Sequence, residues 1–207
     1  MFGFLRATNA PLHDFLRSLS ASSSSSRSRS VRCALVLDTF WAHALDVAAE
    51  LAVPAYFFSS TGASSLAVFL ALPGMRGTLG AAGFGELGDA VLTFAGVPPL
   101  KASELPQLIR DDGAACEASL GLASRMPEAR GILLNSFESL EPRAVRALRD
   151  GLCVPDRDMP PVYCVGPLVS PGGDTDHDCL RWLDAQPDRS VVFLCIVDFA
   201  IGGECFF

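Results

Sequence analysis

Five short, uninterrupted apolar runs constrain this chain more than any other feature: Cys33 to Leu37 (CALVL), Ala55 to Phe58 (AYFF), Gly131 to Leu134 (GILL), Val162 to Val165 (VYCV) and Val191 to Val197 (VVFLCIV). A strand with one wet face alternates apolar and polar residues, whereas unbroken apolar runs of this length mark strands covered on both faces. Helical patterns lie between them. In Ala42 to Ala52, Leu45, Ala48, Ala49 and Ala52 share one face, while Asp46 and Glu50 stand at i,i+4 on another. Further on, Ser139 offers a helix cap, Pro142 suits a first turn, Leu140, Ala144 and Leu148 repeat on one side, and Gly151 can end the helix. A third pattern covers 178–186. Strand, helix, strand, helix predicts an α/β fold with a parallel, doubly wound sheet and right-handed crossovers. Such sheets bind ligands at the carboxyl ends of their strands.

Composition narrows the partners. Half of the 207 residues are apolar, enough for a substantial core. The net charge of -7, with Arg27 and Arg29 as the one short basic cluster, opposes a polyanion and excludes nucleic acid as a partner. Metabolite chemistry is favoured. The seven cysteines contain no C-x-x-C pair, so neither metal nor redox spacing is read, and Cys33, Cys164 and Cys195 sit inside apolar runs. A reducing, cytoplasmic compartment fits that usage. Arg6, Asn9 and Asp14 interrupt the first residues before a signal-type region accumulates, and Asp46, Glu50 and Pro54 interrupt the longest apolar stretch, so neither a signal peptide nor a membrane span is read.

Segment 18–30 is almost entirely Ser, Arg and Ala, a composition that predicts a flexible loop, with a phosphorylated segment as the less favoured reading. Segments 155–161 and 167–176 are rich in Pro, Gly and Asp, and the second reads as a linker between domains.

The sheet reading gives Asp38 its interest, because it follows the first apolar run directly, at the edge where ligands gather. The competing role is a cap on the next helix. Phe40 stands two residues on and is either a wall for a flat ligand or an ordinary core residue at a helix start. Ser60, in FFSSTGA, is a hydroxyl available to a ligand or to the helix beginning near Gly62. No G-x-G-x-x-G or G-x-x-x-x-G-K-[ST] loop follows a strand, which argues against a small α/β protein that binds dinucleotides or nucleoside triphosphates.

Taken in order, VLDTFWAHALDVAAELAVPAYFFSSTGASSL, GVPPLKASELP, GILLNSFESLEPRAVRAL, PPVYCVGPL and CLRWLDAQPDRSVVFLC resemble the plant-type family-1 UDP-dependent glycosyltransferases, in particular the flavonoid and anthocyanidin O-glucosyltransferases. The resemblance implies a partial N-terminal, acceptor-binding domain of a two-domain GT-B fold over residues 1–166, a linker over 167–176, and the start of a donor-binding domain over 177–207. It implies transfer of a sugar from a UDP-sugar, a co-substrate rather than a cofactor, to a hydroxyl of a small phenolic acceptor. An aspartate matching Asp38 orients a base histidine in that family, Phe40 matches an acceptor-pocket position, and Ser60 matches a hydroxyl that touches the donor sugar.

Two departures temper this. The family's first strands and its base histidine would lie before Met1, and its donor-binding box would lie after Phe207, so the chain is expected to be truncated at both ends and inactive by itself. His43 lies within a helical pattern, His13 within an earlier one and His177 beside the linker, places that suit packing or surface roles. The segment after VVFLC reads IVDFAIGGECFF, in which Asp198 would repel phosphate. Arg181, Trp182 and Asp184 take packing and capping roles. The alternative function is noncatalytic, binding an aromatic small molecule or a partner protein. Loss of the first strands would also leave the strand at Cys33 to Leu37 with a free apolar edge, which predicts self-association.

Overall fold

The structure, a computed structural model, describes residues 6–24, 33–80, 83–168 and 178–192. Helix α1 (Asn9–Ser24) precedes strand β1 (Leu35–Asp38), a 3-10 turn (Thr39–Trp41), α2 (Ala44–Glu50) and β2 (Ala55–Ser59). Then come α3 (Ala63–Leu79), a small antiparallel pair β3 (Val91–Leu92) and β4 (Leu100–Lys101), α4 (Gln107–Arg110) and α5 (Ala114–Arg125). Strand β5 (Gly131–Leu134), α6 (Pro142–Arg149) and β6 (Val162–Cys164) complete this unit, and contacts divide the chain after Leu168. In the second unit the described residues hold one helix, α7 (Asp178–Asp184).

All pairings in the main sheet are parallel, and its order, β1-β2-β5-β6, is the order of the chain. When every step advances in one direction, right-handed crossovers stack their helices on one face of the sheet. Burial follows that rule. Leu37, Phe57, Ile132 and Val162 form one paired row and are all buried, with Leu134 beside them. Residues of opposite parity are far less covered: Val36 is 60% exposed and Tyr163 47%. The parallel α/β sheet is therefore present as expected, and its described crossovers furnish one helical layer.

The helices supply the matching surface through their 3.6-residue period. Ala63, Leu66, Ala67 and Leu70 of α3 are buried, as are Cys116, Leu120 and Ala123 of α5. In α6, Ala144, Val145, Ala147 and Leu148 are buried while Arg143, Arg146 and Arg149 stay outside. Gly96 adopts φ +75°, and a Cβ there would meet the Arg143 carbonyl oxygen at 2.5 Å, so only glycine lets this loop cross α6. Arg125 joins α2 to the end of α5 through Asp46 (2.6 Å) and Glu128 (3.0 Å).

Several local expectations change. Helix α1 continues to Ser24, so the first part of the 18–30 loop is helical; Ala and Ser permit a helix when it continues one already nucleated, as Asn9 to Arg17 does here. Residues 25–30 lie outside the described residues, as does most of the 167–176 linker. Helix α2 is shorter than 42–52, ending before Ala52 at φ +53°. The N-cap position of α6 is Glu141 rather than Ser139, with Pro142 at N1 and Leu140 exposed. Val191 and Val192 form no strand, and the rest of the fifth apolar run lies outside the described residues.

Phe57 is fully buried at the centre of the sheet. Phe57→Ala is expected to cost about 3–5 kcal/mol, a large share of a domain's usual stability, read as a fall in the urea midpoint with unchanged slope.

Candidate functional site

Because the strands are parallel, their carboxyl ends lie together at one edge: Asp38, Ser59, Leu134 and Cys164, each followed by a loop. Asp38 ends β1 exposed to solvent, and its Oδ1 accepts the Phe40 N–H at 3.0 Å, capping the 3-10 turn. The capping role is thus real, and the carboxylate keeps a second oxygen toward solvent. Phe40 is 45% exposed, so it is not the core residue that its position at a helix start allowed. Two tethers steady this corner from the start of α1 and the residue before it: Trp41 Nε1 donates to Thr8 Oγ1 (3.2 Å) and Asn9 Nδ2 to the His43 carbonyl (2.8 Å).

Ser60 is exposed in the loop after β2. Its neighbour Ser59 is buried, with its hydroxyl 3.1 Å from that of Thr61 and its carbonyl accepting the Asn135 N–H at 2.9 Å. Neither serine nor threonine caps α3, whose N-cap is Gly62 with no side-chain hydrogen bond. That task falls to Glu141, which lies 78 residues away in the chain: its Oε2 accepts the Ala63 N–H at 2.7 Å, and its Oε1 accepts the Ser64 N–H at 2.9 Å. The Ser136 hydroxyl donates to Oε2 at 2.6 Å. Burial alone would raise the pKa of this carboxyl, but the hydrogen bonds from Ser136, Ser64 and Ala63 outweigh it and bring it down to about 2.

Asp38 lies beside Phe58 in the ladder, so the turn that carries Phe40 and the loop that carries Ser60 follow paired strands at one edge. The histidines are not assembled with them. His13 Nε2 lies 3.1 Å from Glu50 Oε1, on the α1–α2 face. His43 starts α2; burial, followed by the charges of Arg6 and Arg125, lowers its basicity. His177 lies outside the described residues, and among these no histidine hydrogen-bonds Asp38. Sequence reasoning missed Glu141. Its carboxylate looks like one more surface acid in SFESLEPRA, and no local spacing announces a partner on another helix.

A parallel α/β sheet whose strands all open into loops at one edge defines the class as a Rossmann-like α/β domain. No protein-family model matches the chain. It is 42% identical over 206 residues to phloretin 2'-O-glucosyltransferase of Malus domestica, covering 94% of this chain and 41% of that protein. It is 41% identical over 165 residues to anthocyanidin 5,3-O-glucosyltransferase of a Rosa hybrid cultivar, covering 78% and 34%. Among solved structures, a UDP-glucosyltransferase from Polygonum tinctorium capable of glucosylating indoxyl superposes with a TM-score of 0.75 at 34% identity, covering 90% of this chain and 39% of that one. Phytolacca americana UGT2 with UDP-2-fluoro-glucose and pterostilbene gives 0.72 at 30%, covering 87% and 38%. The chain is a homologue of the plant UDP-glycosyltransferases, and its sheet is part of one domain of their GT-B fold. It spans 34–41% of the length of these two curated relatives.

A Cβ added at Gly62 would sit 2.8 Å from Glu141 Oε2. Gly62→Ala should therefore displace the carboxylate and cost about 1–3 kcal/mol in urea unfolding. In a Glu141→Ala background the same change should cost far less, the difference being the coupling that a double-mutant cycle measures.

Proposed function

We propose that this chain forms the acceptor side of a UDP-dependent glucosyltransferase of small phenolic compounds. The observation that supports it best is the convergence of Asp38, Phe40 and Ser60 on the carboxyl edge of the sheet. On this reading residues 1–166 bind the acceptor, 167–176 link, and 177–207 begin the donor-binding part. Phe40 offers an exposed aromatic face to a planar phenol, where stacking adds to burial. Asp38 stabilises the charged form of a base histidine that takes the proton of the acceptor hydroxyl. The oxygen then attacks the anomeric carbon of the UDP-sugar opposite the departing UDP, with Ser60 facing the sugar, and the configuration inverts. UDP-sugar is a co-substrate here and no cofactor is needed.

No described histidine reaches Asp38, and this favours a second statement: the 207-residue chain alone binds an aromatic acceptor without turning it over. A reducing, cytoplasmic setting belongs to the same reading: Cys33, Cys116, Cys153 and Cys164 are free thiols, and burial pushes Cys153 up to about 11. No described helix is long and apolar enough to cross a membrane. Self-association belongs to the same reading. Among the described residues β1 pairs only with β2, and Val36 stands exposed on it.

Purified chain incubated with UDP-glucose and a flavonoid panel is expected to yield no glycoside but to quench or shift flavonoid fluorescence. Phe40→Ala should weaken that binding about tenfold. Glycoside formation would overturn the noncatalytic statement, and binding indifferent to Phe40 would overturn the acceptor assignment. Size-exclusion chromatography is expected to show species larger than one chain; a protease-resistant monomer would count against the free edge.

A further inference from the structure

We infer that Glu141 is the positioning residue of the sugar-side loop, holding Ser60 in place from across the sheet. The inference rests on the reading of Ser60 as sugar-facing, and it concerns a residue outside that loop.

The loop Ser60–Gly62 is pinned at both ends by one distant segment. At its start, the Ser59 carbonyl takes the Asn135 N–H at 2.9 Å. At its end, the Ala63 and Ser64 N–H groups rest on Glu141, at 2.7 and 2.9 Å. Three residues between two fixed points have little freedom, since each spans at most about 3.6 Å. Asn135 and Glu141 both belong to the β5–α6 connection, so that connection decides where Ser60 stands.

A helix that needed only stabilisation would be served by Ser or Asp at its own N-cap. Here the N-cap is Gly62, and its missing Cβ is the space the carboxylate occupies. The cap thus comes from the neighbouring crossover, which ties the first turn of α3 to the start of α6. The Ser136 hydroxyl, at 2.6 Å, keeps the carboxylate aimed. A carboxyl so firmly ionised serves as an acceptor and not as a proton donor, which separates this role from acid catalysis.

The test compares the full chain with Glu141→Gln and Ser136→Ala by amide exchange and two-dimensional amide NMR. Glutamine keeps the shape but has one acceptor oxygen, and its amide hydrogens oppose an N–H donor. Exchange at Ala63 and Ser64 should rise about tenfold to a hundredfold, and the Ser60 and Thr61 resonances should move or broaden while the far-UV spectrum is kept. Ser136→Ala should give a smaller change in the same direction. Acid supplies the readout that simple packing would not move. The carboxyl titrates at about 2 when folded against an ordinary 4.5, so its contribution to stability is complete above pH 4.5 and is lost as pH falls toward 2. Glu141→Gln should lack that slope.

Unchanged Ser60 and Thr61 signals in folded Glu141→Gln would overturn the proposal. If that variant does not fold, Ser60 signals unmoved by Ser136→Ala and by wild-type acid titration would overturn it equally. Addition of UDP-glucose to the wild-type chain separates the underlying reading: Ser60 perturbed by Glu141→Gln but untouched by UDP-glucose sustains the positioning and removes the sugar.

Discussion

Parallel pairing sets Leu37, Phe57, Ile132 and Val162 side by side as one buried row, and the rest of the molecule is arranged around that row. Its register carries a chemical consequence. With four strands running the same way and level with one another, the loops after Asp38, Ser59, Leu134 and Cys164 open at one edge. A slip of one residue would turn Phe57 and Ile132 outward and Tyr56 and Leu133 inward, at the expense of the apolar burial that sustains the domain. Asp38 and the loop that carries Ser60 share this edge as a by-product of core packing.

Charge at the edge is handled in two ways. Asp38 is exposed and gives one oxygen to the Phe40 amide, so its carboxylate stays hydrated and available. Glu141 is partly buried and spends both oxygens on backbone amides and a hydroxyl. The positive end of the α3 dipole adds to the attraction. Two acids of the same sheet edge are thus divided between a surface role and an architectural one by their hydrogen-bond partners.

Much of the fold was legible in the chain. Four of the five apolar runs are strands, and α6 was foreshadowed by Ala144 and Leu148. Periodicity worked there because burial on one helix face or in a parallel ladder demands a fixed spacing of apolar side chains. Helix ends were less legible: Ser139 looked like the cap of α6, yet Glu141 holds that position, and α1 ran on through serines that composition assigned to a loop. Caps and fraying ends depend on a single hydrogen bond or on continuation of a neighbouring turn, which short spacing rules do not weigh.

For the site, the chain by itself determined that an aspartate follows the first strand, an aromatic residue follows it by two, and a serine-rich turn follows the second strand, because strand length and residue type are local properties. Only the tertiary structure decided that Phe40 stands in solvent, that no described histidine sits on Asp38, and that the helix after the serine turn is capped by a residue 78 positions away. Those are contacts between elements. They are settled by how crossovers stack on a sheet, a three-dimensional constraint with no signature in neighbouring residues.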